Sequence, residues 1–359
     1  MPSSMSMNKN DKLYTACAGA GKTTLIVGEA LKIKDKKVLI TTFTNENEEN
    51  IKKKFYIMNK GCIPENIKIQ SWYEFLLREC FKPYLKTFFK EDIRINGFIL
   101  MSGVSGPYIE NSAKDHYMSK NNRVYSDKLS KLMFKNEEVK NCVMNRLSKI
   151  YNVIFIDEVQ DMASWDLELI KKIHHSNIEL FMVGDMMQRT YTTTKERQNK
   201  KNKKQLNIEE YIKDRGKGCC SISIDDTRLK KTHRCSQKVC DYVNQKFGMN
   251  IEICNCCDRT NTGNCNIFFI RQDEIEEKLK ITDTMQILYD KNSKYNKNYQ
   301  AINIGKSKGL DYNNVVIYPA KTMINFLNNN NKHNLAESSK SKLYVALTRA
   351  RENVYIVNS

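Results

Sequence analysis

The sequence predicts an α/β protein whose parallel sheets carry helices on both faces. Three observations point there. A short apolar run, residues 13–17 (LYTAC), leads into a glycine-rich turn and then a helical stretch at 23–33. A β-branched and aromatic run, Val153–Ile156, ends in two adjacent acids. From about Ile222 onward, strand-like runs again alternate with helical ones. Such alternation is the mark of a mostly parallel sheet covered on both sides.

The elements follow in order. Residues 37–43 (KVLITTF) read as a second strand, followed by a Glu/Lys-rich helix that runs to about Met58. Residues 67–71 (IKIQS) read as a strand and 72–81 (WYEFLLRECF) as an amphipathic helix. Residues 83–147 are mixed and polar, with Gly97, Gly103, Gly106 and Pro107, and read as an inserted helical subdomain. A further strand at 179–183 (ELFMV) ends in Gly184-Asp185, and a basic loop follows at 195–204. Later strands are expected at 267–270, 300–304, 315–318 and 354–357. The plan is a first lobe built from 1–82 and 148–221, the insert at 83–147, and a second lobe at 222–359.

Composition narrows the function. The chain has 359 residues, 40% hydrophobic and 28% charged, so it can bury a core and is not wholly disordered. No run of 18 apolar residues occurs, which excludes a membrane-spanning helix. The N-terminus is polar and lacks the apolar core of a secretory signal, so a cytoplasmic location is expected, near the nucleoid in a bacterium or inside the host cell for a virus. The 12 cysteines are scattered and read as reduced thiols. Lys+Arg 59 against Asp+Glu 41 gives a net charge of +18. That excess suits a polyanionic partner such as nucleic acid, although an AT-rich coding sequence yields lysine and asparagine in any case.

Two motifs carry the chemistry. Ala16-Cys17-Ala18-Gly19-Ala20-Gly21-Lys22-Thr23 is a phosphate-binding loop between a strand and a helix. Its glycines let backbone N–H groups curl round phosphates, Lys22 reaches the β/γ-phosphates, and the Thr23 hydroxyl can hold Mg²⁺. The helix that follows offers its positive N-terminus to the anion. The second motif is Asp157-Glu158 at the end of an apolar strand, where Asp157 would hold Mg²⁺ and Glu158 orient the attacking water.

Together with later motifs, these resemble the UvrD/Rep/PcrA-type DNA helicases of superfamily 1A. Thr42-Phe43-Thr44-Asn45 is the family's T-F-T-N, and Ser71-Trp72-Tyr73 stands where it has T-F-H. Residues 157–161 (DEVQD) are its D-E-x-Q-D form. Gly184-Asp185-Met186-Met187-Gln188 with Tyr191 resembles G-D-x-x-Q-S-I-Y, and Thr232-His233-Arg234-Cys235-Ser236 resembles N-Y-R-S. Lys308-Gly309-Leu310-Asp311-Tyr312 is similar to K-G-L-E-F, and Val345-Ala346-Leu347-Thr348-Arg349-Ala350 to V-A-x-T-R-A. These motifs stand in family order across nearly the whole chain.

The resemblance implies two RecA-like P-loop NTPase lobes with the nucleotide at their interface. It implies ATP and Mg²⁺ as cofactors and Lys22, Asp157, Glu158, Gln188, Arg234 and Arg349 as catalytic groups, with Gln188 sensing the γ-phosphate and Arg349 as the arginine finger. Ala18, Gly19, Ala20, Gly21, Lys22, Thr23, Thr24, Gly309 and Asp311 would bind the nucleotide, with Thr23 and Asp157 on the metal. Thr42, Phe43, Thr44, Asn45, Ser71, Trp72, Tyr73 and Tyr191 would contact single-stranded DNA, the aromatics by stacking that accepts any base. The implied activity is ATP-dependent 3′→5′ translocation on single-stranded DNA, with unwinding of a forked duplex, by a monomer in DNA repair or a related pathway. A different reading is an ATP-switched DNA-binding module that recruits a nuclease or repair partner. RNA as the track is a third.

The chain also departs from the family. No glutamine precedes the phosphate loop, and Thr24 and His233 replace the residues that sandwich adenine, which leaves GTP open. Only 74 positions separate Arg234 from Lys308, too few for the large second-lobe insertion. Cys254, Cys256, Cys257 and Cys265 are close in sequence but lack the paired C-x-x-C spacing of a zinc ribbon, and read as a reduced loop.

Overall fold

The computed structural model describes residues 9–101, 103–106, 109–110, 113–190, 193, 208, 211–212, 222–255, 266–290, 292–328 and 335–358. The expected Tyr191 contact, the basic loop 195–204 and Cys256, Cys257 and Cys265 lie outside them. The chain forms two compact units. One takes the N-terminal residues to Tyr14, Thr23–Gly184 and the stretch ending at Asp225. The other takes Thr15–Lys22, the segment beginning at Asp185, and the chain from Asp226 onward. The phosphate loop therefore belongs to the unit built from the C-terminal part of the chain.

Among the described residues, the first sheet has six strands in the order β3-β2-β6-β7-β1-β8. These are β1 (Lys12–Ala16), β2 (Val38–Thr42), β3 (Ile67–Ser71), β6 (Val153–Ile156), β7 (Glu179–Gly184) and β8 (Ser223–Leu229). The pairs β2–β3, β2–β6 and β6–β7 are parallel. Every residue of β2 and β6 is buried, which is why both read as unbroken apolar runs rather than alternating ones. β8 was not expected from the sequence. Its SIDDTRL is mostly exposed, so no apolar pattern announces it, and it joins the sheet at an edge.

Segment 83–147 packs inside the first unit. It carries a small parallel pair, β4 (Phe98–Ile99) and β5 (Val124–Tyr125), and the helix Glu137–Ile150. Tyr117, Val124, Leu132, Val139 and Val143 are fully buried there. The expected amphipathic helix at 72–81 is a single α-turn, Trp72–Phe75, that widens into a π-helix, Leu76–Phe81. Glu79 on that wider turn meets Lys68 of β3 at 2.9 Å and also Arg146, so one carboxylate joins strand and helix.

The second unit is built on a sheet ordered β11-β15-β14-β12-β13. Its strands are β11 (Ile267–Ile270), β12 (Thr284–Leu288), β13 (Ala301–Asn303), β14 (Tyr312–Tyr318) and β15 (Ala350–Val357), all paired in parallel. The strand pair β9 (Lys231–Thr232) and β10 (Glu252–Ile253) lies apart from it in the hydrogen-bond pattern. Ile270, Ile275, Leu279, Val316, Tyr355 and Val357 form part of its core. The sequence missed β12 because Gln286 sits in its middle. That glutamine is buried and satisfied: its Nε2 donates to the Asn296 carbonyl at 2.8 Å, and its Oε1 accepts the Tyr318 hydroxyl at 2.6 Å. Two units of parallel sheet flanked by helices match the α/β expectation. No helix among the described residues is long and apolar enough to cross a membrane.

Candidate nucleotide and nucleic-acid sites

In the first unit, β6 delivers the two acids. Asp157 and Glu158 are both buried, and the Asp157 N–H donates to the Thr41 carbonyl at 2.8 Å. Asp157 Oδ1 accepts the Glu158 N–H at 2.9 Å. Glu158 adopts a left-handed backbone, φ 55°, uncommon for a residue with a side chain. Such strain persists only where the surroundings fix it, and it gathers at functional sites. The Gln160 amide donates to the Glu158 carboxylate. Thr23 and Thr24 stand in the first turn of the helix Lys22–Leu31, with Thr24 exposed. Thr23 and Asp157 supply the hard oxygen donors that Mg²⁺ prefers, and one or two carboxylates suffice when phosphates and water complete its shell.

The expected DNA contacts divide by burial. Phe43 and Thr44 are half-buried and Asn45 is exposed. Phe43 faces Tyr73 with ring centroids 5.7 Å apart. Thr44 caps the helix Asn45–Met58, its Oγ1 accepting the Asn47 N–H at 3.1 Å. Ser71 caps Trp72–Phe75 in the same way through Glu74. Thr42 is buried at the end of β2. Trp72 is 0% exposed and packs on Phe75, so its ring is a core element here and not an open stacking face. Tyr73 is also buried, and its hydroxyl donates to the Thr193 carbonyl at 3.1 Å. The sequence could not separate Phe43 from Trp72, because both are aromatics at strand ends.

In the second unit the phosphate loop is tightly held. Gly19 has φ +73°, and a Cβ there would lie 2.7 Å from both Arg234 Cβ and Thr232 Oγ1, so only glycine fits. The His233 N–H donates to the Gly19 carbonyl at 2.9 Å. Ala18 and Ala20 are buried, while Gly21 (φ +82°) and Lys22 are half-buried. Burial pushes the Cys17 thiol up, with Asp185 and Cys235 adding to it, and its Sγ donates to the Lys230 carbonyl at 3.2 Å.

Two expected cations of this unit, Arg234 and Arg349, are bonded to backbone. Arg234 Nη1 donates to the Thr348 carbonyl at 3.3 Å. Arg349 is 1% exposed; its Nε donates to Val345 at 3.1 Å and its Nη1 to Leu310 at 2.9 Å. Burial, and then the charge of Arg234, draw the Arg349 guanidinium down to about 9. Arg349 thus grips the loop that bears Gly309, which is exposed with φ +87°. Asp311 forms a salt bridge with Arg351, whose Nε lies 2.6 Å from Oδ2. Gln188 is buried in the turn Met186–Gln188. The sequence reading passed over Tyr344, which stands just before Val345 and bonds both Ala18 and Asp185. Its place beside the V-A-L-T-R-A run was the available signal.

Cys254 is buried, and no group of three or more His, Cys, Asp or Glu able to hold a metal occurs among the described residues.

Two family profiles match, each over more than half of the chain: an AAA domain at residues 4–194 and a viral superfamily 1 RNA helicase core domain at 108–358. The chain belongs to the superfamily 1 helicases. No curated protein sequence matches it. Among solved structures, this superfamily 1 chain is similar to arterivirus nonstructural protein 10, a helicase, at 12% identity and TM-score 0.51, covering 97% of this chain and 59% of that one. The same arterivirus helicase in complex with DNA matches at 12% identity and TM-score 0.49, covering 97% and 60%. The PRRSV helicase matches at 12% and 0.47, covering 98% and 53%. The chain spans about six-tenths of the length of the arterivirus helicase. The helicase core profile names a viral branch, which fits better than the UvrD/Rep/PcrA branch expected from the motifs; superfamily 1 is common to both.

Proposed function

We propose that this chain is an ATP-driven translocase on single-stranded nucleic acid, with single-stranded DNA as its track and 3′→5′ as its direction. The observation that supports it most is the acid pair at the end of β6, whose second member, Glu158, is fixed in a left-handed backbone and bonded by Gln160. A carboxylate set this way orients a water for attack on a γ-phosphate. Thr23 and Asp157 would hold Mg²⁺, which when bound neutralises charge on the β- and γ-oxygens. Lys22, Arg234 and Arg349 are the cations available for the same charge, and Gln188 the group available to sense it. Arg349 must exchange its carbonyl partners to reach a phosphate.

DNA is favoured by the T-F-T-N and D-E-x-Q-D forms of the motifs and by the UvrD-type order they keep. A second reading, RNA as the track, is favoured by the viral RNA helicase core profile over 108–358. A half-buried Phe43 next to an exposed Asn45 suits either strand, because stacking does not distinguish sugars.

The test is the ATPase rate alone, with single-stranded DNA and with single-stranded RNA, and with GTP replacing ATP. Stimulation by DNA well above that by RNA is expected, and the reverse order would move the track to RNA. No stimulation by either strand would overturn the translocase reading. Strand displacement on 3′- and 5′-tailed duplexes then reads direction, with displacement confined to the 3′ tail as the expected result.

A further inference from the structure

Tyr344 lies in the helix Glu337–Leu347, whose C-terminal end leads directly into Arg349. It is 0% exposed, and its ring meets Phe247 edge-on at 5.9 Å. Its hydroxyl has two buried partners far away in sequence. It accepts the Ala18 N–H of the phosphate loop at 3.0 Å and donates to Asp185 Oδ2 at 3.1 Å. Asp185 is itself 0% exposed, and its Oδ1 accepts the Met187 N–H at 3.1 Å, which shapes the turn that ends at Gln188. One hydroxyl thus joins three segments of the second unit: the phosphate loop, the Asp185–Gln188 turn and the helix leading to Arg349.

A glycine-rich loop has many conformers, and a ligand that must select one binds more weakly for it. Hydrogen bonds in a water-free interior hold such a loop firmly, because neither partner has water as an alternative. The Cys17 and His233 contacts fix the loop to residues 229–233, through the Leu229 and Lys230 carbonyls and the His233 N–H. The Tyr344 contact fixes it to the turn that carries the expected γ-phosphate sensor.

We propose that Tyr344 is a positioning residue that holds the phosphate loop and the Asp185–Gln188 turn in one arrangement through its hydroxyl. This rests on the nucleotide-binding reading above. The consequence is specific. Loss of the hydroxyl weakens nucleotide capture, because a pre-set loop becomes one that the nucleotide must set. The rate at saturating nucleotide changes little, because no group that touches the reacting atoms is lost.

The experiment uses the full chain with a fluorescent ATP analogue for binding and ATP for turnover. Y344F keeps the ring and its contact with Phe247, so the fold is retained. Both the analogue Kd and the KM for ATP are expected to rise about tenfold, the size of a lost buried hydrogen bond, with kcat nearly unchanged. Asp185 accepts from two donors, the Tyr344 hydroxyl and the Met187 N–H, so D185N, with one oxygen left for both, is expected to raise KM, and D185A to raise it at least as far as Y344F. Combining Y344F with D185A adds little, because both remove the same link. Wild-type KM in Y344F would overturn the inference. So would full additivity of the double variant, or a lower Tm with Kd and KM unmoved, which marks a merely structural tyrosine. A wild-type chain that binds no analogue removes the nucleotide reading itself, and this inference with it. A wild-type chain that binds, beside a Y344F chain that binds equally, removes this inference alone.

Discussion

β6 and β7 are neighbours in one sheet, both are apolar, and both hand the chain on to an aspartate, yet the two carboxylates end in different work. Asp157 takes a local bond from the N–H of the next residue, and the chain then turns left-handed to set Glu158. Asp185 is bonded on one oxygen by Met187 and on the other by Tyr344, 159 positions away. A local bond fixes a side chain relative to its own strand, which is what chemistry at a strand end requires. A long-range bond fixes one segment relative to another. The same grammar, an apolar strand followed by an acid, therefore supplies the proposed water-orienting pair in one place and a tie in the other.

The largest expected effect tests that division. E158Q should lower turnover by about 10²–10⁴-fold, the range for a lost general base, and leave nucleotide binding intact. D185A, in contrast, should raise KM and spare kcat. If E158Q hydrolyses ATP normally, or if the two variants move the same constant, the division fails.

A second pair of residues extends the comparison to the expected DNA contacts. Trp72 is core and Phe43 is not. W72A should cost about 3–5 kcal/mol of stability in chemical denaturation. F43A should leave stability nearly unchanged and weaken single-strand binding by about 1–3 kcal/mol, the worth of one stacked base. Equal losses of stability in the two would erase the distinction that burial draws.

Between these in size stands a third carboxylate. Burial pushes Asp166 up to about 6, and the neighbouring polar groups of Thr193, Ser130 and Trp72 draw it only part of the way back. The unfolded chain releases this proton near pH 4, while the folded chain keeps it to about pH 6. Stability therefore falls as pH rises through that window, by up to about 3 kcal/mol, and stays lowered above it. D166N should flatten this part of a Tm-against-pH curve. A curve unchanged by D166N would show that other groups set the slope.

The phosphate loop, the acid pair and the order of the later motifs were legible because each is a local string whose chemistry depends on spacing along one strand or turn. Strands buried on both faces were legible for the same reason, as runs of apolar residues. β8 and β12 were not. The first is polar at a sheet edge, and the second carries a buried glutamine whose partners, Asn296 and Tyr318, lie outside any local window.

The site divides along the same line. The sequence by itself singled out Lys22, Thr23, Asp157 and Glu158 as candidates for phosphate chemistry by their motif spacing, and Arg349 by the family resemblance. Only the tertiary structure decided that Trp72 is core and Phe43 is not, that Arg349 is bonded to backbone carbonyls, and that Tyr344 joins the phosphate loop to Asp185. Burial and long-range hydrogen bonds depend on which segments meet in space. That meeting is fixed by the packing of whole elements, and no short stretch of sequence records it.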